Sequence, residues 1–256
     1  MQLTHHTVDR LKIIVLETAT DLAVYAAQTV AQTLRERVQH QREARVVWAT
    51  GNSQLEFLAR LPQQPDVPWS WVTGFHLDEY LGMSDQHPAS FRYYLQHKLC
   101  NRLPLAAFHF LQGDALEPLQ ECDRYSQLLN AAPIDLCLLG IGNNGHLAFN
   151  DPNVADFTDP YTVKLVKLDA TNRQQQFEQG HFPHLEDVPT YALTLTLSRI
   201  AACRRLLCLV TGGHKAAIVA RLLTGPISPA CPATLLRQHA NATLLIDQAA
   251  AALLAL

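Results

Sequence analysis

The stretch LCLLGIGNNGHLAFNDP, residues 136–152, decides the fold that we predict for this chain. Its first four residues form a continuous apolar run, which is typical of a strand buried on both faces of a parallel sheet. Glycines follow at 140, 142 and 145, and their missing Cβ atoms permit positive φ angles and a close approach of a ligand to the backbone. Because ligands bind at the carboxyl ends of the strands in open α/β sheets, the stretch is also a candidate site.

The same stretch carries three polar groups that are suited to proton transfer. Asn144, His146 and Asp151 lie within eight positions and can accept, donate or relay protons. A glycine turn with one histidine is equally compatible with an ordinary turn and a locally bonded imidazole. A second group of such residues is therefore needed before the stretch predicts a site.

The size and composition of the chain favour one globular domain, which we place at residues 1–256. The chain is long enough for a sizeable core, and 48% hydrophobic with 17% charged residues is typical of a soluble protein. The formal net charge of -3 provides no broad positive surface for nucleic acid or an anionic membrane. A small anionic substrate is still compatible with this charge, because a local pocket needs only a few positive groups.

The cysteines predict a reducing compartment. The six cysteines form no CxxC pair, and Cys137 and Cys208 lie inside apolar runs, as small buried hydrophobic residues do. The first ten residues lack the charged and apolar regions of a secretory signal, and no apolar stretch approaches the ~20 residues that span a bilayer. We therefore predict a cytoplasmic protein that does not enter membranes.

Strand and helix patterns alternate along the chain. Strands are predicted at 45–49, 69–77, 108–111, 134–139, 161–168, 191–197, 205–210 and 243–246. Helices are predicted at 21–42 with Asp21 as N-cap, at 54–61, after Ser90, at 117–129 and at 216–223. Strands separated by helices of this length predict an α/β fold with a doubly wound, mainly parallel, Rossmann-like sheet and helices on both faces.

Two glycine turns that follow predicted strands are candidates for binding phosphate. Thr50, Gly51, Asn52 and Ser53 open a helix, where free backbone N–H groups and the helix dipole favour an anion. An ordinary turn capped by Ser53 is the alternative, since the P-loop pattern is incomplete. Lys215 stands at another helix start and supplies a point charge.

The ends of the predicted strands should meet at one edge of the sheet. There Ser53 and Lys215 would form a phosphate pocket, while Asp78 and His146 would transfer protons. Glu79, beside Asp78, is equally suited to a structural ion pair with a lysine or arginine beneath the site.

Two longer stretches carry a family resemblance. FHLDEYLGMSDQHPASFRYYL at 75–95 and LGIGNNGHLAFNDP at 139–152 resemble the two signature stretches of the glucosamine-6-phosphate deaminase (isomerase) family, which shares its fold with the 6-phosphogluconolactonases. The segments TGNS, VPTYALTLTL and GGHKA occur in the order that the family shows. The resemblance spans roughly residues 10 to 250.

The resemblance implies hydrolytic deamination of a 2-amino-2-deoxyhexose 6-phosphate to a ketose 6-phosphate and ammonia, with no metal or organic cofactor. It assigns Asp78 to proton transfer between C2 and C1 and His146 to ring opening, with Asn144 and Asp151 in the same catalytic group. The residues implied in binding the sugar phosphate are Thr50, Gly51, Asn52, Ser53, Gly142 and Lys215. Family members range from monomer to hexamer, so a homo-oligomer is compatible with this prediction.

The chain departs from the family pattern beside the histidine. Asn144 stands where the best-known members carry an aspartate, and Asp151 stands where they carry a glutamate. A carboxamide can orient an imidazole but cannot stabilise an imidazolium as an anion does. An arginine that members place on the phosphate before the YAL strand has no clear counterpart, although Arg173 lies in that region.

Two other functions stay open at this stage. A 6-phosphogluconolactonase would hydrolyse an ester, but its usual pattern after the histidine is similar to alanine-serine-leucine-phenylalanine, whereas this chain reads LAFNDP. A sugar-phosphate-binding regulator would keep the pocket and lose turnover, and Asn144 is the residue that motivates this alternative.

Overall fold

The computed structural model describes residues 3–254. Its strands are β1 (Leu3–Val8), β2 (Leu11–Leu16), β3 (Ala44–Trp48), β4 (Val72–His76), β5 (Asp78–Tyr80), β6 (Ala107–Phe108), β7 (Leu136–Leu139), β8 (Val163–Lys167), β9 (Tyr191–Leu195), β10 (Leu206–Val210) and β11 (Ala242–Asp247). Its α-helices are α1 (Ala19–Gln41), α2 (Asn52–Arg60), α3 (Phe91–Leu95), α4 (Pro118–Asn130), α5 (Ala170–Glu178), α6 (Leu197–Ala201) and α7 (Ala216–Thr224). Within these residues no helix combines the length and the apolar character needed to cross a membrane.

Eight strands form one central sheet in the order β1-β2-β11-β10-β7-β3-β4-β6. All neighbouring pairs are parallel except β1 and β2. After β3, the strands β4 and β6 are added on one side of β3. The later strands β7, β10 and β11 are then added on its other side. The strand order therefore reverses between β3 and β7, and such a switch point is where open α/β sheets bind ligands.

The apolar runs in the sequence explain which strands lie at the centre. Every residue of β3, β7, β10 and β11 is buried, as the continuous apolar patterns predict for strands covered on both faces. The predicted α/β fold with a mainly parallel sheet and surrounding helices is confirmed. The ends of four adjacent central strands, β10, β7, β3 and β4, carry the turns that the sequence analysis singled out.

The strands predicted at 161–168 and 191–197 are present, but they do not join the central parallel sheet. The corresponding strands β8 and β9 pair antiparallel with each other, and β9 also pairs antiparallel with β5, in a separate three-stranded sheet. The alternation in YALTLTL was the available signal, because antiparallel strands commonly have one solvated face. The predicted strand 69–77 is shorter in the structure. Its first three residues form a 3₁₀ turn, β4 covers Val72–His76, and Leu77 separates β4 from β5.

Two features near the N-terminus, a hairpin and the start of helix α1, also differ from the prediction. Residues 3–16 form the hairpin β1–β2, which the sequence analysis did not predict because its turn has no glycine; Asp9 has a φ of 52° there. Helix α1 begins at Ala19 and is capped by Thr18, whose hydroxyl accepts the N–H of Asp21. Asp21 is thus not the N-cap but lies in the first turn, where its negative charge interacts favourably with the helix dipole.

Candidate active site

A cavity of about 610 Å³ opens at the carboxyl ends of the central strands. Its volume lies within the range of small-molecule sites. Eight of the ten predicted site residues line it, namely Thr50, Gly51, Asn52, Ser53, Asp78, Gly142, His146 and Lys215. The remaining two, Asn144 and Asp151, do not line the cavity but contact His146 from behind.

The start of α2 presents backbone donors to one end of the cavity. Gly51 occupies the N-cap position with a φ of 98°, which a residue with a Cβ adopts only under strain. No side chain caps this helix, so the alternative of a turn capped by Ser53 is wrong. Tyr94 fixes the turn through a hydrogen bond of 3.0 Å from its hydroxyl to the carbonyl oxygen of Gly51. Uncapped N–H groups at a helix start are suited to an anion.

Lys215 supplies positive charge to the same cavity. Its Nζ donates to Ile141 O at 2.8 Å and to Asn143 Oδ1 at 2.7 Å, so one of its three donors is left for a ligand among the described contacts. Burial lowers the pKa of Lys215 to about 8. Of the residues in the range 3–254 that line the cavity, Lys215 is the only lysine or arginine.

Asp78 begins β5 and is only 6% exposed. Burial raises the pKa of its carboxyl well above the usual range, and the charge of Glu79 adds to the rise. A carboxylate with a raised pKa is a stronger base than an ordinary aspartate, and such shifts are common at catalytic sites.

Glu79 has the structural role that the sequence analysis considered. Its carboxylate is fully buried and accepts hydrogen bonds from Ser90 Oγ and from the N–H groups of Tyr80, Phe91 and Arg92, at 2.7 to 3.1 Å. Arg92 Nε lies 3.6 Å away. These contacts tie β5 to the start of α3 and so hold Asp78 in place.

His146 reaches the cavity on the loop after β7, and its Nδ1 is held from behind. Nδ1 lies 2.8 Å from Asn144 Oδ1 and 3.0 Å from Asp151 Oδ1. With Nδ1–H engaged by these acceptors, Nε2 is the nitrogen left to exchange a proton with a ligand. Asp151 supplies the anion that the carboxamide of Asn144 cannot provide.

Asp151 is ionised in this arrangement although it is fully buried. Burial alone would raise its pKa, but the hydrogen bond and charge of His146, with further donors from Asn144 and the Asp169 N–H, lower the pKa below the usual value. An ionised carboxylate at Nδ1 stabilises the imidazolium that forms when His146 takes up a proton.

Gly142 and Gly145 shape the loop in different ways. A Cβ on Gly142 would lie 2.1 to 2.3 Å from ring atoms of His146, so the imidazole rests directly against this glycine. Gly145 has a φ of 92°, whereas Gly140 and Gly142 do not adopt positive φ angles. The missing Cβ at Gly142 therefore makes room for the His146 ring and does not serve an unusual backbone conformation.

Helix α5 contributes residues that the sequence analysis missed. Gln175 and Gln176 line the cavity, and Gln175 Oε1 accepts the N–H of Asn143 at 2.7 Å. Asp169 caps the helix by accepting the N–H of Asn172 at 2.7 Å. The helix was missed because ATNRQQQFE has few apolar residues and hence no clear period, although Asp169 is a recognisable N-cap.

Three other side chains differ from what the sequence suggested. Arg173 does not line the cavity; its guanidinium donates to the carbonyl oxygens of Leu185 and Val188 and holds the segment after α5. His181 and His214 do line the cavity, although they were not predicted as ligand-binding residues.

The site therefore combines two chemical functions in one cavity. One part offers helix N–H groups and Lys215 to an anion. The other part offers a carboxyl with a raised pKa and an imidazole supported by a carboxylate, which together suit proton transfers on a bound carbohydrate.

Relatives of known activity match nearly the whole chain. A family model described as Glucosamine-6-phosphate isomerases/6-phosphogluconolactonase matches residues 17–245. A glucosamine-6-phosphate deaminase from Exiguobacterium sp. is 34% identical over 242 residues, which are 94% of this chain and 91% of the relative. A glucosamine-6-phosphate deaminase from Bacillus thuringiensis is 35% identical over 243 residues, which are 95% and 89% of the two chains.

Solved structures share the fold. A monomeric glucosamine-6-phosphate deaminase has a TM-score of 0.87 at 32% identity, with 94% of this chain and 99% of that chain covered. The 6-phosphogluconolactonase from Trypanosoma brucei has a TM-score of 0.79 at 19% identity, with 98% and 100% covered, a likeness that shows the fold alone. The chain thus belongs to the family of glucosamine-6-phosphate isomerases and 6-phosphogluconolactonases.

Proposed function

We propose that the protein converts glucosamine 6-phosphate and water into fructose 6-phosphate and ammonia. The observation that carries this proposal is the meeting of Asp78, His146, Lys215 and the uncapped start of α2 in one cavity. The deaminase relatives at 34% and 35% identity support the same substrate.

In the first step His146 opens the sugar ring. The anomeric hydroxyl loses a proton and the ring oxygen gains one, so the C1–O5 bond breaks and C1 becomes an aldehyde. One imidazole can perform both transfers, because a histidine side chain can both accept and donate a proton near neutral pH. Asp151 stabilises the imidazole of His146 while the imidazole carries the extra proton.

In the second step Asp78 moves a proton from C2 to C1. The C2 proton is removed and returned at C1, while O1 gains a proton and the C2 amine loses one, so that the aldehyde becomes an alcohol and the C2 amine becomes an imine. Water then adds at C2, and ammonia leaves to give the ketose. A single carboxylate can serve both carbons because they are adjacent, and its raised pKa makes it an effective base.

The phosphate is bound by Lys215, the backbone N–H groups that open α2 and the side chains of Thr50, Asn52 and Ser53. The helix start favours a dianion through its dipole, and the buried ammonium regains full charge beside it. We further propose that the chain acts as one domain in the cytoplasm, where its unpaired cysteines would remain reduced. A homo-oligomer stays a prediction from the family resemblance.

An assay with a panel of substrates tests this function. Ammonia release should be fast with glucosamine 6-phosphate and negligible with unphosphorylated glucosamine, and galactosamine 6-phosphate defines the preference at C4. Hydrolysis of 6-phosphogluconolactone without ammonia release from either amino sugar phosphate would instead establish the lactonase. Binding of sugar phosphate, seen as a rise in the melting temperature, without any turnover would establish the regulator.

A further inference from the structure

The carboxamide of Asn144 has two different ends, an oxygen and an NH₂ group, so its orientation matters in a way that the orientation of a carboxylate would not. Its Oδ1 accepts the backbone N–H of His146 at 3.0 Å and lies 2.8 Å from His146 Nδ1. Its Nδ2 donates to Asp151 Oδ1 and to Asp169 Oδ2, both at 3.0 Å. If the carboxamide turned over, its NH₂ group would face the imidazole and its oxygen would face two carboxylates.

We propose that Asp169 is a positioning residue that fixes the orientation of the Asn144 carboxamide and thereby the ring orientation and tautomer of His146. The proposal deepens the proposed function and rests on it, because it assigns a residue that supports the ring-opening group. Asp169 does not line the cavity and so acts only through Asn144 and His146.

Asp151 cannot fix the carboxamide as effectively, since its oxygens are shared among several donors. Asp151 Oδ1 accepts from Asn144 Nδ2 and Asn172 Nδ2 while it lies against His146 Nδ1. Asp169, by contrast, accepts one hydrogen bond with each of its carboxylate oxygens. Oδ1 caps α5 through the N–H of Asn172 at 2.7 Å, and Oδ2 receives Asn144 Nδ2 at 3.0 Å.

The two oxygens of Asp169 allow the capping role to be separated from the positioning role. In Asp169→Ser the hydroxyl retains a good N-cap, because serine and aspartate are similar caps, but nothing replaces Oδ2 at Asn144. We expect kcat to fall on the order of 100-fold, as for a misplaced catalytic group, with KM within about 2-fold of the wild type. A purely structural cap predicts an unchanged kcat in this variant, and that result would overturn the proposal.

In a protein that also carries Asn144→Asp, the same substitution of Asp169 should not lower kcat. In Asn144→Asp the residue has two acceptor oxygens and hence no orientation to fix, and one of them would meet Asp169 at the present contact of 3.0 Å. Adding Asp169→Ser to this variant removes the repulsion between like charges, so kcat should stay equal or rise. If Asp169→Ser lowers kcat by the same factor in both backgrounds, the proposal is wrong.

The tautomer of His146 can be read without turnover. In ¹⁵N NMR spectra at a pH where the imidazole is neutral, the wild type should show a protonated Nδ1 and an unprotonated Nε2. Asp169→Ser should show a mixture of the two tautomers, and spectra identical to the wild type would contradict the proposal. If the wild type releases no ammonia, the proposed function fails, whereas these spectra still decide the role of Asp169.

Discussion

At the residue scale, the burial of Lys215 predicts how the proposed phosphate binding depends on pH. Its pKa is lowered to about 8, so in the free protein the ammonium loses its proton as pH rises through that value. The affinity for fructose 6-phosphate should therefore be full between about pH 7, where the phosphate is a dianion, and pH 8, and should decline above pH 8. Fructose 6-phosphate carries no amine of its own, so titration calorimetry across this range reports on the protein.

The matched variant is Lys215→Arg, because a guanidinium stays protonated throughout. It should bind more weakly than the wild type below pH 8, since its shape does not reproduce the contacts to Ile141 and Asn143, but its affinity should not fall above pH 8. The same decline in both proteins would show that another group titrates.

Gly142 tests whether the position of the His146 ring limits the reaction. Gly142→Ala places a methyl group against the imidazole, which must move to accommodate it. We expect kcat to fall on the order of 100-fold, the effect of a displacement of about 1 Å. The affinity for fructose 6-phosphate should stay near that of the wild type, and a loss of affinity with unchanged kcat would place the role of Gly142 in binding instead.

The sequence predicted much of the site at this scale because its residues follow apolar strands directly. Asp78, His146, Lys215 and the turn 50–53 each lie at the end of a strand, and strand ends meet wherever the sheet is parallel. Asp169 was not predicted, because its contact with Asn144 depends on how α5 packs against the loop after β7.

At the scale of elements, the junction between β5 and α3 depends on one buried charge. Glu79→Gln replaces an acceptor oxygen by an NH₂ group that faces the N–H of Arg92, and it removes the buried one of the two anions beside the Arg92 guanidinium, the other being the half-exposed Asp114 at 2.9 Å. The free energy of unfolding should fall by about 3 kcal/mol, as when one partner of a buried ion pair is removed. Urea denaturation measures this change. A loss below about 1 kcal/mol, typical of an ordinary substitution, would contradict the role given to Glu79.

The elements differ in how well their sequences predicted them. Strands β7 and β10 are continuous apolar runs and β3 is apolar except for Arg45, and all three were placed within one or two positions. Helix α5 was missed because tertiary contacts, rather than an apolar period, hold it. Strands β8 and β9 were recognised, but their separate sheet was not predicted, since a strand pattern does not by itself identify the strand with which it pairs.

At the scale of the whole molecule, the site follows from the topology. The chain reverses its direction of sheet building between β3 and β7, and the crevice there receives the start of α2 from one half and the His146 loop from the other. The separate antiparallel sheet then adds Asp78 from β5. The residues proposed for phosphate binding and ring opening thus come from the central sheet, while the proposed C2 base comes from the junction of the two sheets.

The most direct test of this account is an NMR time course with ¹⁵N-labelled glucosamine 6-phosphate and either the wild type or Asp78→Asn. The wild type should form fructose 6-phosphate and labelled ammonium in equal amounts. Asp78→Asn should lower this rate at least about 100-fold, the contribution of a general base, while it still binds fructose 6-phosphate. No conversion by the wild type, or an undiminished rate in Asp78→Asn, would contradict the account.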